Sequence, residues 1–72
     1  MFELRTRTAG TVVHVEVDEG QMVAEDDEIA VFESDGGRIV VTTEVPGVVR
    51  ELYIEAGYRV GAGAVIALID ES

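Results

Sequence analysis

Ile29-Ala30-Val31-Phe32-Glu33-Ser34-Asp35-Gly36-Gly37-Arg38-Ile39-Val40-Val41-Thr42-Thr43 lies at the middle of the chain and reads as a β-hairpin. Two runs rich in β-branched residues flank an Asp-Gly pair. Asp-Gly favours a type I′ turn, in which both central residues take positive φ, and Gly37 adds freedom beside it. The arms are expected at residues 29–34 and 38–43, with the turn exposed. In the second arm Ile39, Val41 and Thr43 alternate with Val40, Thr42 and Glu44, the period of a half-buried strand. The first arm is apolar throughout residues 29–32, as is 65–69, so both read as more deeply buried strands.

Outward from the hairpin, the chain overlays itself at a shift of 37 residues. Ala9-Gly10-Thr11-Val12 falls on Pro46-Gly47-Val48-Val49. Val15 and Val17 fall on Leu52 and Ile54, Gly20 on Gly57, and Val23 on Val60. Residues 29–33 fall on 66–70, so the repeat halves run about 9–35 and 46–72. Two repeats are too few for a solenoid. They suit a closed structure with a pseudo-twofold axis, in which each half covers the apolar face of the other. Val13, Val15 and Val17 alternate with His14 and Glu16, again as in a strand. Turn signals recur at Glu19-Gly20, Pro46-Gly47, Ala56-Gly57 and Gly61-Ala62-Gly63, and no window has helical periodicity. The expected architecture is all-β, a sandwich or barrel of many short strands in one domain over residues 1–72.

Composition narrows the function. Fifteen Asp and Glu oppose five basic residues, for a net charge of −10. Nucleic acids and anionic membranes are bound through Lys and Arg, so neither is an expected partner. No apolar run approaches the roughly 20 residues that span a bilayer, and the first ten residues have no signal-like core; a cytoplasmic location is expected. With no cysteine, disulfides and thiolate metal sites are excluded. All five basic residues are arginine (Arg5, Arg7, Arg38, Arg50 and Arg59), and there is no lysine. High acidity without lysine suits a salt-adapted or GC-rich source.

These motifs resemble those of the biotinyl/lipoyl carrier domains, from about Leu4 to Asp70. A Gly-x-Val opens each half (Gly10-Thr11-Val12; Gly47-Val48-Val49) and a Gly-x-x-Val follows (Gly20 to Val23; Gly57 to Val60). Glu33-Ser34 precedes the hairpin turn and Ile39-Val40-Val41 follows it. The length is similar to that of small stand-alone biotin carboxyl carrier-like proteins. The resemblance implies a flattened barrel of two four-stranded antiparallel sheets about a pseudo-twofold axis. It also implies a lysine at the hairpin tip, amide-linked to biotin or lipoate, and partners of the carboxylase or 2-oxoacid dehydrogenase type.

At that tip the sequence departs from the family. Biotinyl domains read Glu-Ser/Ala-Met-Lys-Met and lipoyl domains Glu-Ser/Thr-Asp-Lys-Ala, where this chain reads Glu33-Ser34-Asp35-Gly36-Gly37. Gly36 stands in the place of the carrier lysine, and no other lysine could replace it. Neither cofactor can be attached by the family's chemistry. The expectation is a non-enzymatic carrier-type domain acting as a docking or structural module. The alternative is an altered form of a true biotin or lipoyl carrier whose modification turn was replaced by Asp35-Gly36-Gly37. Glu33-Ser34 fits both ancestries, the length leans to biotin and Asp35 leans to lipoyl. The family's Gly-Asp after each Gly-x-x-Val turn is replaced by Asp26-Asp27 and Gly63-Ala64, where Asp26 is expected to take a positive φ.

The remaining candidates read as ordinary surface or core. Glu25-Asp26-Asp27-Glu28 is a solvated acidic loop, because consecutive carboxylates cannot all converge on one ion. His14, the one histidine, would need a nucleophile and an orienting group around it, and with only Ser34 and Ser72 as serines and no cysteine such a catalytic site is poorly supplied. Phe32 is core. Tyr53 and Tyr58 fall on Glu16 and Gln21 of the other half, so they face outward, either as ordinary surface residues or as a contact patch.

Overall fold

The computed structural model describes residues 1–71; Ser72, the second serine and the end of the second repeat half, lies outside the described residues. Eight strands form in chain order: β1 Phe2–Arg5, β2 Gly10–Val15, β3 Met22–Val23, β4 Glu28–Ser34, β5 Gly37–Thr42, β6 Gly47–Leu52, β7 Arg59–Val60 and β8 Val65–Asp70. They make two four-stranded antiparallel sheets, ordered β1-β8-β6-β3 and β5-β4-β2-β7. The described residues contain no helix. The two all-apolar runs form β4 and β8, which are inner strands of their sheets as their composition requires.

The sheets are exchanged by the 37-residue shift. Phe2 pairs with Ile69 as Ile39 pairs with Phe32, and Val12 pairs with Phe32 as Val49 pairs with Ile69. The symmetry extends to the loops: the backbone hydrogen bonds outside the strand ladders fall into seven related pairs among the described residues. One pair shows the principle. The Gly20 N–H donates to the Val49 carbonyl at 2.7 Å, and the Gly57 N–H donates to the Val12 carbonyl at 2.8 Å. Each half thus ties down the loops of the other.

Between the sheets lie Val12, Ile29, Ala30, Phe32 and their counterparts Val49, Ile66, Ala67 and Ile69, all at most 1% exposed. Burying a side chain such as Phe32 or Ile29 contributes about 2–3 kcal/mol. The core needs close approach of backbones at its ends. A Cβ on Gly10 would sit 2.7 Å from the Glu33 carbonyl oxygen, and one on Gly47 would overlap the Asp70 carbonyl. Only glycine lets β2 and β6 start there, which is the physical content of the Gly-x-Val motif.

Two details differ from the sequence reading. Val12, not Val13, is the core residue of β2, because the pairing slips between Val12 and His14. This bulge shifts the phase, leaving Val13 and Val15 half-buried, His14 exposed and Val17 in the core beyond the strand. The same slip between Val49 and Glu51 marks β6. The second difference concerns Thr43, which lies just past β5 and is fully buried with its hydroxyl satisfied. It donates to the Val45 carbonyl at 2.7 Å and accepts from the Val45 N–H at 3.2 Å. Thr6, its counterpart outside the overlay seen in sequence, does the same with Thr8 at 2.8 and 3.2 Å.

Removing either hydroxyl strands two backbone groups that it serves. Thr6→Val and Thr43→Val are each expected to lower unfolding stability by about 1–3 kcal/mol. Urea denaturation checks this, and the symmetry predicts similar costs at the two sites.

Candidate functional site

The hairpin connecting β4 and β5 presents an exposed turn, Asp35-Gly36, closed by the Ser34–Gly37 pair, in which Gly37 opens β5. The Ser34 hydroxyl donates to the Gly37 carbonyl at 3.3 Å. The expected type I′ turn does not form: among these residues only Gly37 has positive φ, at 112°. Neither central residue of the turn takes positive φ, which falls instead on the first residue of β5. With two glycines in succession the chain can place the reversal on the second, and it does. Gly36 is therefore not demanded by the turn. A Cβ there meets nothing within 4 Å, so a side chain at position 36 would extend freely into solvent.

Around the tip, Glu33 faces Arg38 across the two strands with 3.7 Å between carboxylate and guanidinium. Both are exposed, so the pair adds little stability. A shallow groove of about 640 Å³ runs beside the turn, lined by residues 8–11, 33–36 and Arg59. The sequence reading did not bring Arg59 or the 8–11 segment to the tip. The signal lay in the motif glycines, since Gly10 pairs with Val60 and Thr11 with Arg59.

The other candidates lie apart from the hairpin turn. His14 is exposed on the outer face of β2. In the acidic loop Asp27 turns back to accept from the Ala24 N–H at 2.8 Å, and Asp26 takes the positive φ, 73°, that its counterpart Gly63 takes at 86°. Among the described residues no three His, Cys, Asp or Glu side chains are grouped as metal ligands. Tyr53 and Tyr58 do face outward, 47% and 48% exposed. The Tyr53 hydroxyl donates to Glu51, and the Tyr58 hydroxyl donates to Glu55 at 3.0 Å. These contacts were not legible from the repeat, because Glu16 and Gln21 hold the equivalent places.

Comparison with known proteins bears on the whole frame. The family described as "Biotin-requiring enzyme" matches residues 3–69. The chain belongs to this biotin/lipoyl attachment family. Its members bind biotin or lipoate covalently through a lysine, and such a domain is not itself the catalyst. No curated protein sequence matches the chain. Among solved structures it is similar to the urea carboxylase of Kluyveromyces lactis (TM-score 0.88, 23% identity), covering 96% of this chain and 6% of that one. It is also similar to a single-chain, multi-domain long-chain acyl-CoA carboxylase (0.85, 26%), covering 92% of this chain and 7% of that one. A third similar structure is the lipoyl domain of the 2-oxoglutarate dehydrogenase complex of Azotobacter vinelandii (0.74, 28%), covering 89% and 81%. The chain thus spans a small fraction of the two carboxylases it matches. Among the described residues no helix is long and apolar enough to cross a membrane.

The hydrogen bond to a carboxylate requires the neutral phenol, so Glu51 and Glu55 raise the Tyr53 and Tyr58 pKa values above 10.0, with further contributions from charge and desolvation. A raised pKa in the folded state means that this contribution to stability is complete below about pH 10 and is lost as pH rises through the raised values. In an alkaline spectrophotometric titration both tyrosines are expected to ionise above pH 10. Glu51→Gln should bring Tyr53 down towards its ordinary value and leave Tyr58 in place.

Proposed function

We propose that this chain is a carrier-type domain, a single unit over residues 1–72, that holds the biotinyl/lipoyl frame but carries no group. It serves as a non-enzymatic docking or structural module beside a carboxylase or 2-oxoacid dehydrogenase-type partner, in the cytoplasm. The observation that carries this reading is Gly36 at the exposed tip, in a chain with no lysine. Attachment of biotin or lipoate requires a nucleophilic side-chain amine. Glycine offers no side chain, and the guanidinium of an arginine is not the amine that attachment uses. The amine of Met1 lies beside β1, which the pseudo-twofold relates to β5, so it belongs to a different part of the frame. Neither cofactor fits the residues present, and Asp35, Gly37, Glu33 and Ser34 supply no substitute.

A second reading has its own support. The backbone at Gly36 is not held in the left-handed region and the space around it is open. A lysine would be accepted there without strain, as it would be if the turn had been altered from that of a true biotin or lipoyl carrier. The native gene distinguishes the two readings, because lysine at position 36 there favours the second.

Incubation with biotin ligase and biotin, and separately with lipoate ligase and lipoate, both with ATP, tests the first reading by mass. The chain as it stands is expected to gain nothing from either enzyme. Gly36→Lys is expected to unfold within about 0.5 kcal/mol of the parent, as surface changes do, and to gain one biotinyl or lipoyl group. A group acquired by the unaltered chain would overturn the proposal.

A further inference from the structure

The internal repeat supplies a control for deciding which surface residues the fold itself requires. Positions that serve the core or the loops recur in both halves, as Val12 and Val49 or Thr6 and Thr43 do. Tyr53 and Tyr58 break this rule. Their equivalents are Glu16 and Gln21, both exposed, and the neighbouring backbone is bonded identically in both halves. The Glu16 N–H donates to the Ile29 carbonyl at 2.8 Å, as the Tyr53 N–H does to Ile66 at 2.9 Å. The Gln21 N–H donates to the Asp18 carbonyl at 3.2 Å, as the Tyr58 N–H does to Glu55 at 3.1 Å. The backbone therefore holds its geometry without either aromatic ring.

The two rings line one groove of about 380 Å³ together with Asp18, Glu19, Leu52, Ile54 and Glu55. The groove lies where loop 16–21 of one half meets loop 53–58 of the other. The Glu19 carboxylate bridges them by accepting from the Leu52 N–H at 3.0 Å. The hydroxyl bonds to Glu51 and Glu55 anchor the phenol rings, whose aromatic surface stays half exposed. Among the described residues the ion-paired arginines are Arg5, Arg38 and Arg50, with Glu3, Glu33 and Asp70. Among the described residues no cationic side chain pairs with Asp18, Glu19, Glu51 or Glu55.

We infer that this groove is a docking site for an arginine-bearing segment of a partner protein. A guanidinium stacks flat on an aromatic face while its N–H fork reaches carboxylates at the rim. Its methylene stem would lie over the half-buried Leu52. A lysine ammonium satisfies the charge but not the planar stacking, so arginine is the preferred side chain. The inference rests on the docking-module reading and names its contact surface.

The test uses the full chain and a tetra-arginine peptide, followed by amide chemical shifts and by tyrosine emission. With two tyrosines and no tryptophan, that emission reports on the groove alone. Shifts are expected to concentrate in residues 16–21 and 51–58, with tetralysine binding several-fold more weakly. The decisive variant is Tyr53→Glu with Tyr58→Gln, which installs the residues that the other half carries. It adds a negative charge, so simple charge attraction would strengthen binding, whereas loss of the two stacking faces should weaken it about tenfold. The double variant binding as tightly as the parent, or more tightly, would overturn the proposal, as would shifts spread evenly over the acidic surface. If that variant fails to fold, Asp18→Asn with Glu55→Gln decides the matter: weaker binding is expected, and unchanged binding overturns the inference. A chain that binds the peptide yet accepts biotin would overturn only the non-carrying reading; one that does neither would overturn only the groove.

Discussion

The loops at residues 20–23 and 57–60 are held by backbone hydrogen bonds to the opposite half of the repeat, and the rest of the structure depends on that exchange. Strand β3 finds its partner in β6, and β7 finds its partner in β2. With β1 counted to the first half and its counterpart β5 to the second, each sheet takes two strands from each half, so neither half can complete a sheet or cover its apolar face alone. Small β structures need this closure, since isolated hairpins are marginal in water. The closed frame fixes both arms of the central hairpin and leaves only the turn Asp35-Gly36 projecting.

Much of this was legible in the sequence because the determinants repeat. Gly10 and Gly47 mark the close approaches, while Ile29-Ala30 and Ile66-Ala67 mark the inner strands. What the sequence concealed is local and cooperative. The bulge at Val13 shifts the inward phase of β2 and depends on its pairing with β4, which no pattern within β2 contains. The turn type depended on which of two adjacent glycines absorbed the reversal; Asp-Gly suggested the first pair, and the strand twist was met at Gly37. Thr43 read as one residue of an alternating strand arm and Thr6 lay outside the overlay, and their burial shows that each satisfies two backbone groups. For the candidate site, the sequence located the hairpin tip, but the neighbours Thr8 to Thr11 and Arg59 came only from pairing across the repeat.

On the proposed reading, fold and function separate at position 36. Membership of the biotin/lipoyl attachment family accounts for the frame, its two sheets and the exposed hairpin. The chemistry of attachment needs an amine that the frame does not itself provide. Gly36 could be replaced without disturbing the turn, so the glycine is a chemical difference and not a structural necessity. The repeat also isolates Tyr53 and Tyr58 as residues outside the needs of the fold, on a surface whose charge is opposite to that of an arginine-bearing partner.

The account is tested most directly by the mass of the tip in the protein isolated from its source organism. Trypsin should release residues 8–38, between Arg7 and Arg38, as one peptide containing the turn. The account predicts the mass of the bare peptide with glycine at position 36. A peptide heavier by one biotinyl or lipoyl group, or one bearing lysine at that position, would contradict it and restore the chain to the role of a carrier.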